Sequence, residues 1–197
     1  MSKEETRQLI LKNGARLVHV KGFVNTGIQE ILDASSVPKG SFYFYFKSKE
    51  DFGRALVDHY ETFISAMFDK YLQDASRTPL ERMRRFFEDS CKFYESNNFS
   101  SGCPIGNLSQ EMSDISVPIR EKLHETYLKM KSALQTCIEE ARDQGEITGR
   151  MDPGMLATFM LNGWEGALID MKLSKSITPL VIFTDMLFGY ILKSDSQ

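Results

Sequence analysis

Apolar residues recur at spacings of three and four along almost the whole chain, and strict alternation of apolar and polar residues is nowhere sustained. Residues three and four apart share one face of an α-helix, whereas alternate residues share one face of a strand. The pattern therefore predicts an all-α protein. The expected helices cover about residues 3–21, 27–35, 39–45, 49–71, 79–95, 104–112 and 118–145, and two further helices follow Pro153 and Pro179.

Capping residues mark where several of these helices start or end. Ser2 with Glu5 forms a capping box, and Gly22 is the residue type that most often ends a helix. Thr26 and Ser48 are expected to cap the second and fourth helices. A cap residue directly precedes a helix-opening proline in four other places, which are Thr78-Pro79, Cys103-Pro104, Asp152-Pro153 and Thr178-Pro179.

The composition of the 197 residues is that of a globular protein, with 42% hydrophobic and 26% charged residues. No apolar stretch approaches the roughly 20 residues that a membrane-spanning helix needs. The N-terminus is charged and lacks the apolar segment of a signal peptide. We therefore expect a cytoplasmic protein.

Charge is unevenly distributed, although the net charge is only -3. Residues 1–50 contain eight Lys and Arg against five Asp and Glu, whereas the remaining residues contain sixteen against twenty-two. A small basic region on an acidic body can bind a polyanion locally while the body stays soluble.

The cysteines and histidines suggest neither a disulfide framework nor a metal site. Cys91, Cys103 and Cys137 are odd in number and widely spaced, so reduced thiols are expected. The three histidines also lie far apart, and the chain contains no glycine-rich phosphate loop and no nucleophile elbow. We expect no metal and no cofactor.

Residues 37–52, VPKGSFYFYFKSKEDF, place aromatic rings and lysines side by side. Interpreted as the second helix of a helix-turn-helix, the segment buries Phe42 and Phe46, four residues apart, and leaves the residues between them on an outer face. Lysine neutralises phosphates, glycine permits close approach of the backbone, and tyrosine offers a hydroxyl. This combination favours DNA binding over a plain core helix.

Residues 21–52, KGFVNTGIQEILDASSVPKGSFYFYFKSKEDF, resemble the TetR family of bacterial transcriptional regulators. The resemblance lies in the glycine and aromatic residue before the second helix, the threonine at its cap, the VPKGSFY recognition helix and the KSKE that follows. It implies a helix-turn-helix DNA-binding domain at residues 1–47 and a larger helical ligand-binding and dimerisation domain at residues 48–197. Ser36 departs from the many members that have glycine in the turn.

The resemblance also assigns roles to single positions in the DNA-binding domain. Thr26 and Lys49 match the family's phosphate contacts. The positions that match the groove-facing residues are Gln29, Lys39, Gly40, Ser41, Tyr43, Phe44 and Tyr45.

The last two helices are too apolar for surface helices. Apolar or small residues occur on every side of MLATFMLNGWEGALIDM and of LVIFTDMLFGYIL, so each helix is expected to bury one side in its own subunit and the other in a partner. The resembled family dimerises through these two helices. A two-fold dimer places two recognition helices about 34 to 36 Å apart or somewhat more, which requires a palindromic DNA operator.

The family holds a small-molecule inducer in a pocket between its long helices, and the resemblance implies such a pocket here. The expected ligand-binding residues are Tyr94, Asn107, Tyr127 and Trp164, with Phe87, Glu111, Met130 and Met160 as further candidates for the lining. Aromatic and methionine side chains at helical spacing equally suit a plain core. Trp164 and Asn107 are favoured because a buried indole N–H or amide needs a partner.

Cys103 allows two interpretations. It stands directly before Pro104 at a helix start, where unpaired N–H groups stabilise a thiolate, and the preceding NNFSSG predicts partial exposure. Residues 101–114, SGCPIGNLSQEMSD, resemble TetR-family members that respond to electrophiles and acrylate-like compounds, in some of which a cysteine here is the sensing thiol. The alternative is a small buried cysteine with a structural role.

Together these patterns predict a ligand-responsive transcriptional regulator. The expected form is a homodimeric repressor that a small-molecule inducer, which can be electrophilic, releases from double-stranded operator DNA. The same patterns also suit an activator. The competing hypothesis is a thiol-dependent enzyme that acts on small electrophiles through Cys103, with His124 as its base.

Overall fold

The computed structural model describes residues 2–38, 40–147 and 151–192. The helices in these ranges are α1 (Lys3–Lys21), α2 (Ile28–Ala34), α3 (Phe42–Tyr45), α4 (Lys49–Leu72), α5 (Pro79–Ser96), α6 (Pro104–Met112), α7 (Val117–Asp143), α8 (Pro153–Ser174) and α9 (Thr178–Met186), followed by a π-helical turn (Leu187–Ile191). No strand occurs among the residues described, so the predicted all-α fold is confirmed. None of the helices in these ranges combines the length and the apolar run that a bilayer crossing requires.

Local capping explains most of the helix starts. The Ser2 hydroxyl accepts a hydrogen bond from the Glu5 N–H, and the Glu5 carboxylate accepts one from the Ser2 N–H in return. The same reciprocal pair joins Thr78 and Glu81 at the start of α5. Asp152 accepts from the N–H of Met155 at 2.9 Å at the start of α8. These starts agree with the sequence prediction because a cap uses residues only three apart.

Two predicted caps are wrong. Gly27, rather than Thr26, occupies the N-cap of α2 and offers no side-chain bond. Thr26 is fully buried, and its hydroxyl donates to the carbonyl oxygen of Gly22 at 2.6 Å instead. Thr178 is the first residue of α9 and Ile177 holds the cap position, so the second prediction misses by one residue.

The chain separates into two compact units. The N-terminal unit comprises Met1–Ile64 and Pro104–Tyr127, and the C-terminal unit comprises Ser65–Cys103 and Leu128–Gln197. Helices α4 and α7 contribute residues to both units. The functional division after residue 47 stays a prediction.

Aromatic rings form the centre of the N-terminal unit. Phe42 and Phe46 are each 1% exposed, as predicted, and their ring centroids lie 5.3 Å apart. Phe52 of α4 meets both rings, at 5.8 Å from Phe42 and 5.2 Å from Phe46. This cluster anchors the four-residue α3, which is too short to be stable on its own.

The C-terminal unit has a second aromatic centre around Phe87 of α5. Its ring lies 4.9 Å from Trp164 of α8, 5.5 Å from Phe183 of α9 and 6.1 Å from Phe188 of the π-helical turn. Edge-to-face contacts at these distances add to the free energy gained by burying the rings. The cluster therefore binds α5 to the last helices of the chain.

Candidate functional site

The outer face of α3 presents two large aromatic side chains to solvent. Tyr43 is 65% exposed and Phe44 is 64% exposed. The Lys3 ammonium lies 4.3 Å from the centre of the Phe44 ring, so a cation accompanies the exposed aromatic surface. Exposed aromatic side chains above a buried aromatic root are suited to contact bases and phosphates.

The other residues predicted to face DNA surround this pair to different degrees. Gly40 is exposed, has a φ of +98°, and has open space where a side chain would stand. Gln29 is exposed on α2, where its amide donates to Asp33 at 2.7 Å. Ser41 and Tyr45 are half-buried, and Lys39 lies outside the described residues.

The two predicted phosphate contacts have other partners. Thr26 has no exposed surface and its hydroxyl closes the loop onto Gly22. Its predicted contact with phosphate is not tested and stays a prediction. Lys49 is half-buried, and its ammonium donates to the carbonyl oxygen of Val24 at 3.1 Å. Burial lowers the pKa of Lys49, while the charge of Glu111 raises it.

In the C-terminal unit, three of the five predicted ligand-binding residues lie close together. Trp164 is buried, and its ring centroid lies 6.4 Å from that of Tyr94. Burial raises the pKa of Tyr94 far above its ordinary value, and the neighbouring Cys103 and Glu165 raise it further. Cys103 is only 8% exposed, so the expected partial exposure of its thiol is wrong.

Glu165 of α8 completes this group, and the sequence interpretation missed it. The Cys103 thiol hydrogen-bonds the Glu165 carboxyl, which opposes the rise in the pKa of Glu165 that burial causes. The Oε1 oxygen of Glu165 is buried and accepts no hydrogen bond from the described residues. The available signal was a single carboxylate inside the apolar run LNGWEGALI, because a charge in such a run needs a partner or a function.

Asn107 and Tyr127 belong to the N-terminal unit and are half-buried there. Their predicted ligand contacts are not tested and stay predictions. Glu111 lies in the same unit, where its carboxylate accepts from the N–H groups of Phe23 and Val24 at 2.8 Å each. Its assignment to the pocket lining is corrected because both oxygens bind the backbone between α1 and α2.

The remaining thiols are poor nucleophiles. Burial, together with nearby acids, raises the pKa of Cys91 to about 11. Burial likewise raises the pKa of Cys137 to about 12, and its thiol donates to the carbonyl oxygen of Pro79 at 3.3 Å. His124, the base suggested for an enzyme, is exposed on α7. Across the ranges that the structure describes, no three His, Cys, Asp or Glu side chains are grouped to hold a metal ion.

A cavity of about 420 Å³ lies elsewhere in the C-terminal unit, among residues of α4, α5 and α7. Arg82 lines it, and its guanidinium donates at 2.8 Å both to Glu140 and to the carbonyl oxygen of Leu72. None of the residues predicted to bind ligand lines this cavity.

One side of α8 and α9 exposes apolar side chains in a regular stripe. On α8 the exposed positions Met155, Phe159, Ile169 and Leu173 follow helical spacing, with Asn162 and Gly166 between them. On α9 and the following turn the exposed apolar residues are Val181, Ile182, Met186 and Tyr190. We call this surface the α8–α9 stripe. A patch of this kind on a globular protein typically marks a protein interface.

Both the N-terminal and the C-terminal parts of the chain match known protein families. Residues 10–56 match the family described as "Bacterial regulatory proteins, tetR family", and residues 79–187 match "Tetracyclin repressor-like, C-terminal domain". The transcriptional regulator AcuR of Cereibacter sphaeroides is 36% identical over 90% of this chain and 81% of its own. The transcriptional repressor DhaR of Mycobacterium sp. is 31% identical over 98% of this chain and 96% of its own. The crystal structure of E. coli NemR in its reduced form has a TM-score of 0.85 at 28% identity and covers 94% of this chain and 96% of that one.

Proposed function

Since the chain belongs to the TetR family of bacterial transcriptional regulators, we propose that it is a homodimeric repressor that a small-molecule inducer releases from a palindromic operator. It is a ligand-responsive, DNA-binding regulator, and DhaR and NemR are both named as repressors. The observation that carries the proposal is the exposed pair Tyr43 and Phe44 held above the buried rings of Phe42 and Phe46.

The DNA-contacting surface comprises the exposed faces of α3 and α2. Tyr43 and Phe44 supply ring faces and a hydroxyl, Gly40 admits a close phosphate, and Gln29 offers an amide to base edges. Ser41, Tyr45, Lys39 and Lys49 complete the proposed set.

A duplex enriched from random sequence by repeated binding to the purified protein supplies the operator for testing. In fluorescence anisotropy, Tyr43→Ala is expected to weaken binding to this duplex by about tenfold, since one good base or phosphate contact is lost. The matched control is Phe63→Ala, because Phe63 is 67% exposed on α4 and has no proposed contact. Equal affinity for the enriched duplex and a scrambled one would contradict operator recognition.

The α8–α9 stripe is proposed as the dimer interface. Its exposed apolar side chains would be removed from water between two subunits, and Gly166 and Gly189 leave open space for a second helix to approach. Dimers are typical of the family. Two subunits related by a two-fold axis would then read a palindromic site.

Sedimentation of Leu173→Glu tests this interface. Leu173 is 79% exposed, so the substitution leaves the fold of the subunit intact but places a charge in the proposed contact. We expect monomers and at least about tenfold weaker operator binding, since half of a palindrome holds one subunit poorly. Ile115→Glu, at a 65% exposed apolar position outside the stripe, is the control. A dimer of unchanged affinity would place the interface elsewhere.

The inducer site is proposed at Cys103, Tyr94 and Trp164, together with Glu165. The aromatic rings suit a small apolar molecule, and the unpartnered Glu165 Oε1 suits a ligand that donates an N–H or O–H. Asn107 and Tyr127 are retained as proposed contacts.

Cys103 is proposed as a sensing thiol because the Glu165 carboxyl can take its proton. With an α,β-unsaturated carbonyl compound, a bond forms between the Cys103 sulfur and the β-carbon while the carbon–carbon π bond opens. The thiol proton passes through the Glu165 carboxylate to the α-carbon, so the product is a neutral thioether. The low exposure of Cys103 restricts this chemistry to small reagents.

Incubation with acrolein followed by mass spectrometry and anisotropy tests the sensing role. We expect one adduct per chain at Cys103 and release of the duplex, both abolished in Cys103→Ser. Cys91→Ser is the control and should respond like the wild type, because its raised pKa keeps that thiol protonated. Normal release from Cys103→Ser would assign Cys103 a structural role.

Turnover distinguishes the regulator from the enzyme hypothesis. We propose that the protein has no enzymatic activity, and its relatives are named as regulators. One acrolein molecule should be consumed per chain, at Cys103, without further turnover. Sustained consumption would favour an enzyme. A regulator of bacterial transcription acts on the chromosome, so we place it in the cytoplasm.

A further inference from the structure

The Glu111 carboxylate joins α6 to the turn between α1 and α2. Its Oε2 accepts from the Phe23 N–H and its Oε1 from the Val24 N–H, both at 2.8 Å. These partners stand 88 and 87 residues earlier in the chain. Hydrogen bonds from backbone N–H groups to a carboxylate are stronger than those between neutral groups, so both oxygens are firmly held.

The turn that Glu111 binds determines where α2 begins. Gly22 ends α1 with a φ of +84°, Thr26 closes the turn onto the Gly22 carbonyl, and Gly27 starts α2 without a side-chain cap. The N-cap residue of α2 therefore offers no side-chain hydrogen bond to the first N–H groups of the helix. The contact with Glu111 supplies order from another helix.

Lys49 binds the same turn through a backbone carbonyl. Its ammonium donates to the carbonyl oxygen of Val24 at 3.1 Å and lies 5.0 Å from the centre of the Phe23 ring. The Val24 residue is thus bound through its N–H by α6 and through its carbonyl by the first residue of α4. We call Glu111, Lys49 and the turn between them the Val24 clamp.

A further hydrogen bond ties the connection between α6 and α7 to α4. The Ser116 hydroxyl, in the connection between α6 and α7, donates to Glu50 at 2.6 Å. The Gly22 position also fits the carboxylate closely, since an added Cβ would stand 2.9 Å from Glu111 Oε1. All these contacts lie within the N-terminal unit.

We propose that Glu111 is a positioning residue for operator recognition, which holds the α1–α2 turn, and through it α2, in the DNA-reading arrangement. The inference rests on the proposed DNA-binding function.

Glu111→Gln tests the clamp, since an amide keeps the size of the side chain but can accept only one of the two bonds. Anisotropy with the enriched duplex should show Kd raised by about tenfold without inducer. Hydrogen exchange followed by mass spectrometry should show faster exchange in residues 22–27 and unchanged exchange in the core of the C-terminal unit. Glu121→Gln, at an exposed acid of α7, is the matched control and should change neither measurement.

The outcomes separate this inference from the proposed function. If the wild type shows no preference for the enriched duplex, the proposed function fails. Two results would overturn the inference when the wild type binds the enriched duplex. One is an affinity of Glu111→Gln within about twofold of the wild type, and the other is hydrogen exchange at residues 22–27 that stays as slow as in the wild type. Should Glu111→Gln not fold, Gly22→Ala displaces the carboxylate from the other side, and a full-affinity Gly22→Ala protein would equally overturn it.

Discussion

The Thr26 hydroxyl donates a hydrogen bond to the carbonyl oxygen of Gly22 at 2.6 Å, inside a turn where Thr26 has no exposed surface. The bond closes the turn between α1 and α2, and the N–H of Thr26 adds a second contact to the Phe23 carbonyl at 3.3 Å. These two bonds give Thr26 a structural role in the turn, and its contact with phosphate stays a prediction.

Thr26→Val keeps the shape of the side chain but removes its hydroxyl. The free energy of unfolding should fall by about 1 to 2 kcal/mol, because the half-buried Gly22 carbonyl loses a donor. Denaturant unfolding measures this change. Thr62→Val is the control, since the exposed Thr62 hydroxyl makes a similar bond to Asp58 that water can replace. The slope of the logarithm of DNA affinity against the logarithm of salt concentration should be the same for Thr26→Val as for the wild type. A smaller slope would support a contact between Thr26 and phosphate.

Ser36, between α2 and α3, adopts a φ of +53°, which costs a residue with a Cβ more than it costs glycine. Ser36→Gly should therefore raise the free energy of unfolding by about 0.5 to 1 kcal/mol. Ser132→Gly, at an exposed position inside α7, should lower it by about 0.5 kcal/mol instead. Thermal or denaturant unfolding measures both changes in stability. A Ser36→Gly protein less stable than the wild type would contradict backbone strain at Ser36.

Glu165 should make stability depend on pH. Burial raises its pKa above the ordinary value of 4.5, so between pH 4.5 and the raised pKa the folded protein holds a proton that the unfolded chain releases. Its unfavourable contribution is absent below pH 4.5 and grows as pH rises through the raised pKa. Glu165→Gln should then be more stable than the wild type at pH 8 and equal to it at pH 4. Unfolding curves between pH 4 and pH 8, with Glu121→Gln as the control, measure the difference in stability between Glu165→Gln and the wild type. A difference that does not change with pH would contradict a raised pKa of Glu165.

Cys91 and Cys137 should react slowly with iodoacetamide in the Cys103→Ser variant. With a pKa of about 11, Cys91 is a thiolate in about one molecule in a thousand at pH 8, against about one in ten for a thiol with the ordinary value of 9.0. Cys137, at about 12, is slower still. The alkylation rate, followed by mass spectrometry, should rise about tenfold per pH unit between pH 8 and 10. A short cysteine peptide, whose rate levels off near pH 10, is the control, and the same levelling in the protein would contradict the raised pKa values.

The helices and the buried face of α3 were largely predictable because their signals are local. The capping boxes at Ser2 and Thr78 use residues three apart, and the burial of Phe42 and Phe46 follows from a spacing of four on one helix. The TetR-like segment at residues 21–52 was equally visible, since it is continuous in the chain. The apolar character of α8 and α9 likewise indicated a face to be covered.

The partners of single polar groups were not predictable. An apolar stripe shows which side of a helix is buried but not which helix meets it, so the binding of Glu111 to the turn at Val24 could not be read from α6. The contact between Glu165 and Cys103 could not be predicted either. Nor could the burial of Cys103, because the polar loop before it suggested an exposed thiol. The sequence alone determined the helices, their capped ends and the family-like reading segment, because these depend on neighbours within a turn or two. Only the tertiary structure decided which thiols and carboxylates meet, because desolvation favours a partner for each buried polar group and that partner can be distant in the chain.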